Sequence, residues 1–64
     1  MTPTAAELSS MAATVDDLAR RLAPIAETYE SAHREDLAGE VLEVERALQG
    51  ALRRLSRLSA APGA

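Results

Sequence analysis

The feature that most restricts the fold is a stripe of apolar residues: Leu8, Met11, Val15, Leu18, Leu22, Ile25 and Tyr29, separated by steps of 3, 4, 3, 4, 3 and 4. An α-helix completes a turn in about 3.6 residues, so this spacing keeps all seven side chains on one helical face. A second stripe answers it. Leu37, Val41, Val44, Leu48, Ala51, Leu55 and Leu58 follow one another in steps of 4, 3, 4, 3, 4 and 3. The predicted fold class is all-α: an antiparallel hairpin of two long helices, dimerising into a four-helix bundle.

The chain of 64 residues makes one small domain. At that length a single core has difficulty supporting itself, and without cysteine no disulfide compensates. Association with another chain is therefore expected. Alanine, leucine, glutamate and arginine dominate, as in long helices and helical bundles. All seven basic residues are arginine, a bias associated with high-GC bacterial genomes. The net charge of -3 argues against broad, non-specific DNA binding. No apolar run is long enough to span a membrane, and no basic segment followed by an apolar stretch marks a signal peptide, so the expected location is the cytoplasm.

Local signals place the first helix at about residues 4–29. Thr4-Ala5-Ala6-Glu7 has the form of a capping box, with Pro3 ahead of it. Pro24 lies inside the stripe, which nevertheless stays in phase from Leu22 to Tyr29, so the reading is a continuous, kinked helix; the alternative ends the first helix near Leu22. Residues 30–36 carry no large apolar side chain, and the two stripes are out of phase across them. A turn belongs there, with Ser31 or Asp36 as the cap of the second helix over about 37–59 and a flexible tail at 60–64.

Reversal near residue 33 sets Leu8 against Leu58, Met11 against Leu55, Val15 against Ala51, Leu18 against Leu48, Leu22 against Val44, Ile25 against Val41 and Tyr29 against Leu37. It also predicts Arg53, Arg54 and Arg57 near Glu7 and Asp16, and Arg20 and Arg21 near Glu43 and Glu45. Beside the first stripe runs a line of small residues, Ala5, Ala12, Ala19 and Ala26, each seven apart. Ala38 and Leu52 continue this flank on the second helix, and Leu42 lies off the stripe. The flank is the predicted surface for packing on a second hairpin.

Few residues here could do chemistry: there is no cysteine, no glycine-rich phosphate loop and no spacing that supports a catalytic triad. The chain is read as a non-enzyme with no cofactor. Glu30-x-x-His33 resembles the E-x-x-H pair of ferritin-like carboxylate proteins, a resemblance confined to those two residues; it implies Glu30 and His33 as candidate metal ligands on one helix face. The spacing Glu27-x-x-x-Ser31-x-x-Arg34 resembles the opening of a cyclic-di-GMP signature on the coiled-coil hairpin of a sporulation anti-sigma factor, but departs from it at Ala38 and Leu42. In layout the whole chain is similar to Rop, an RNA-binding helical hairpin, though no individual residue transfers. The expected function is protein–protein association, as an oligomerisation, adaptor or regulatory subunit whose partner is itself or another helical protein. A Rop-like nucleic-acid-binding regulator and a small ferritin-like metal-binding protein are the alternatives.

Overall fold

The computed structural model describes residues 2–63, which form two helices and no strand. Helix α1 runs Pro3–Ser31 and helix α2 runs Glu35–Ala60. They lie side by side in a rod whose Cα extents are 48 × 14 × 9 Å. A helix of 29 residues is about 43 Å long, so α1 alone accounts for most of that length.

Helix α1 begins earlier than the capping-box signal implied. Thr2, not Thr4, is the N-cap: its hydroxyl accepts from the Ala5 N–H at 3.0 Å, and its carbonyl accepts from the Ala6 N–H at 3.0 Å. The cause is Pro3. A residue before proline is pushed into the extended region, as Thr2 is at φ -79, ψ 159, which is the conformation an N-cap needs. Proline at the first helical position then gives up an N–H that had no intrahelical partner. Thr4 and Glu7 are therefore ordinary helical residues.

Pro24 does not end α1, which continues through it to Ser31. The carbonyl deprived of a donor is that of Arg20, an exposed residue on the outer side of the hairpin, and Pro24 itself is exposed. The Thr28 hydroxyl donates to the Pro24 carbonyl at 2.9 Å, one turn further along.

The reversal is tighter than the polar segment suggested. Helix α1 keeps Ser31, α2 starts at Glu35, and three residues connect them. The Arg34 N–H donates to the Tyr29 carbonyl at 2.8 Å and the His33 N–H to the Glu30 carbonyl at 3.0 Å, the paired bonds of a Schellman ending. His33 takes the left-handed position of that motif, with φ 59. Neither Ser31 nor Asp36 caps α2. Its N-cap is Arg34, which makes no capping side-chain bond.

What joins the helices is the alanine line. Among the described residues the buried side chains are Ala5, Ala12, Ala19, Ala26 and Ala38, with Ala19 at 0% exposure. On α2 the same line continues through Glu45, Leu52 and Ser59, all half-buried. Equal rise along two antiparallel helices sets Ala26 near Ala38, Ala19 near Glu45, Ala12 near Leu52 and Ala5 near Ser59. No buried side-chain polar atom lacks a hydrogen-bond partner among the described residues, so the burial of Glu45 falls on its stem while its carboxylate reaches water.

The expected arrangement thus holds only in part: the alanine flank, predicted to meet an outside partner, forms the centre of the helix–helix contact, with Leu8, Val15, Leu22, Tyr29, Leu37, Val41, Leu48 and Leu55 of the stripes half-buried beside it and the rest exposed. A methyl side chain lets two helix axes come close, and between close axes a larger side chain fits only where it faces a small one, as Leu52 does opposite Ala12. The larger residues are displaced to one side.

Two substitutions test this description. Ala19→Leu is expected to destabilise the fold by about 1–3 kcal/mol through overpacking, measured by thermal or urea unfolding. Pro24→Ala restores a missing helical bond at an exposed site and is expected to stabilise by up to about 3 kcal/mol. Unchanged stability in the first case would remove the alanine contact as the organising one.

Candidate functional site

The site is the face onto which those larger side chains are displaced. Met11, Leu18 and Ile25 each precede a buried alanine by one residue, and Val44, Ala51 and Leu58 likewise precede Glu45, Leu52 and Ser59. One residue is about 100° around a helix. The two antiparallel helices are related by a half-turn about the normal to the hairpin's flat side, so both sets turn to the same side. An open groove of about 530 Å³ records this, lined by Leu18, Arg21, Leu22, Pro24 and Ile25 of α1 together with Val44 and Leu48 of α2.

The exposure along this face is large for residues of this type. Met11 is 53% exposed, Leu18 42%, Ile25 45%, Val44 50% and Leu58 52%. Leu8, Val15, Leu22 and Tyr29 of α1, and Leu37, Val41, Leu48 and Leu55 of α2, are half-buried between this face and the alanine line. No large side chain among the described residues is fully buried. A folded monomer of 6.8 kDa is expected to expose roughly 3,950 Å². The chain exposes 4670 Å², about 700 Å² more.

The interface residues named from sequence therefore divide into two groups. Ala12, Ala19, Ala26 and Leu52 belong to the contact inside the hairpin. Met11, Leu18, Ile25, Val44 and Leu58 of the heptad stripes form the open face, and the remaining large stripe residues are half-buried between it and the alanine line. Leu42 lies apart, 42% exposed on the opposite side, where it lines shallow depressions with Ala38 and Gly39 and with Glu45, Arg46 and Gln49.

The charges do not bridge the helices as expected. Among the described residues the ion pairs are Arg20–Asp16 at 3.1 Å, Arg21–Asp17 at 3.8 Å, Arg46–Glu43 at 2.7 Å and Arg34–Asp36 at 3.0 Å, each local in sequence. Partners one helical turn apart meet with little further ordering, whereas side chains on the outer edges of two helices must cross the hairpin. Arg20 and Arg21 are thereby occupied by aspartates, which leaves no basic strip on α1. Arg53, Arg54 and Arg57 make no ion pair among the described residues and instead border a depression over Ala47, Gly50 and Ala51.

At the turn, the premise of a helical E-x-x-H pair is not met. Glu30 is helical, but His33 lies beyond the end of α1 with positive φ, so the two do not project from one helical face. Among the described residues no group of three or more His, Cys, Asp or Glu side chains is placed to hold a metal ion. Arg34 is likewise outside α1, which separates it from Glu27 and Ser31. It engages Asp36 through two hydrogen bonds, of 3.1 and 3.0 Å. These bonds, with help from the Leu37 N–H, hold the Asp36 carboxyl below its ordinary range. Because the folded form has the lower pKa, the stabilisation is complete above the ordinary carboxylate value and is lost as pH falls through the depressed one.

No helix among the described residues is long and apolar enough to cross a membrane. Comparison with protein-family models, curated proteins and solved structures returned no match.

The left-handed conformation of His33 gives a direct test of its role. His33→Gly is expected to stabilise the hairpin by about 1 kcal/mol, because glycine occupies this position without Cβ strain. A loss of stability on chemical unfolding would mean that the imidazole makes a contact that matters.

Proposed function

We propose that this chain acts through protein–protein association, as a small helical oligomerisation, adaptor or regulatory subunit whose working surface is the apolar face formed by the two heptad stripes. One observation carries this reading: the buried residues of the hairpin are alanines, while the large apolar side chains of both helices share one open side. Exposed apolar area of this extent, bordered by charged residues, is characteristic of an interaction surface. Helix-on-helix docking suits it, since anchors recur at helical spacing along both ridges and leave a groove between them.

Light scattering at two concentrations, on the native chain and on Leu18→Glu, tests the reading. The native chain is expected to have a mass above 6.8 kDa that rises with concentration. A carboxylate placed in the middle of the face is expected to weaken association by at least about thirtyfold, the effect of losing one central anchor. A native chain that is monomeric, stable and does not engage any helical protein would overturn the proposal.

A further inference from the structure

The open face requires a cover, and the edge of α2 indicates which one; the inference rests on the association reading above. Helix α2 is polarised in charge: Glu35, Asp36, Glu40, Glu43 and Glu45 come first, then Arg46, Arg53, Arg54 and Arg57. Helix α1 does not neutralise this order, because the ion pairs among the described residues are local. The hairpin is therefore acidic at its turn and basic at the end of α2.

Two of these charges border the apolar face. Glu40 follows Leu37 by three residues and precedes Val44 by four, and Arg54 stands in the same relation to Ala51 and Leu58. Neither has an ion-pair partner among the described residues. Between them the outer edge of α2 is made of small residues. Ala47, Gly50 and Ala51 line an open depression of about 470 Å³, bordered by Arg53, Arg54 and Arg57. At Gly50, an added Cβ would meet only the Arg53 guanidinium, at 3.8 Å.

We propose that the face is covered by a second copy of this chain, with the two turns at opposite ends and α2 packed antiparallel on α2 of the second copy. Centring that contact on Ala47 brings Glu40 of each copy to Arg54 of the other. The charge order of α2 and the open apolar face that it borders are independent features, and this one arrangement uses both. Turns at the same end would instead crowd Glu27, Glu30, Glu35, Asp36 and Glu40 of both copies together. An isologous pair also buries the same face on each copy, so a single chain supplies both halves.

Because the native chain has no cysteine, Ala32→Cys places one spin label per chain at the exposed turn. Dipolar distance measurement is expected to give about 40 Å or more, roughly the length of α1. A distance well below that, with the labels adjacent, would overturn the opposite-end arrangement. The second measurement reads charge. Glu40→Arg is expected to weaken dimerisation about three- to tenfold, as does losing and reversing an exposed pair twice per dimer, and adding Arg54→Glu in the same chain should restore it. Failure of that rescue overturns the α2–α2 contact. A chain that stays monomeric at high micromolar concentration overturns the second copy as occupant, while leaving the apolar face to another helical protein. A dimer indifferent to Leu18→Glu overturns both readings.

Discussion

The close approach of two helices over alanine is the interaction on which the rest of this structure depends. A methyl group every seventh residue of α1 gives a contact line with almost no width, and Ala19, completely buried, marks its middle. Dispersion between closely spaced backbones rewards such a contact, but it buries little apolar area. The remaining apolar side chains of both stripes must go somewhere, and the geometry of an antiparallel pair sends them to the same side. One small residue type thus determines both how the hairpin closes and where its exposed apolar face lies.

Much of this was legible in the residues, although the alanine line and not the larger stripe residues takes the centre of the contact. Two unbroken heptad stripes, a polar interruption and a phase break led to two helices and a reversal, and that is the fold. The alanine line was visible too. What the pattern could not supply is which part of a broad apolar arc meets the neighbouring helix. Heptad spacing shows that Leu18, Ala19 and Leu22 share an arc; it does not say whether leucine or alanine faces inward. That choice turns on the distance between helix axes, a property of two helices together. Sequence weighting by hydrophobicity favours the larger side chain, whereas close packing favours the smaller.

The ends of the helices show a similar competition between local signals. Thr4 and Glu7 had the right spacing for a capping box, but Thr2 before Pro3 had a stronger claim, because proline fixes its own backbone and that of its predecessor. At the turn, no glycine or proline marked the position that needs positive φ. His33 fills it, and histidine is among the few L-residues that enter this region with some frequency. Its placement there removes it from the helical face on which a resemblance to metal ligands depended. A backbone role explains the only histidine in the chain without any chemistry of its side chain.

The electrostatics separate in the same manner as the packing. Within the hairpin, arginines find carboxylates on their own helix or turn, which costs little ordering and does nothing to hold α1 against α2. Glu40, Arg53, Arg54 and Arg57, all on α2, have no ion-pair partner among the described residues, and Glu40 and Arg54 lie beside the apolar face. The inward contact is built mainly on alanine, and the outward face is apolar and fringed by charge without an ion-pair partner among the described residues, so specificity in the proposed association would lie on the outside. Folding and association are then not independent steps. The alanine contact fixes the geometry of the face, and covering the face removes the apolar area that two helices cannot hide from water alone. On the proposed association, the second step would add to the stability of a chain of this size.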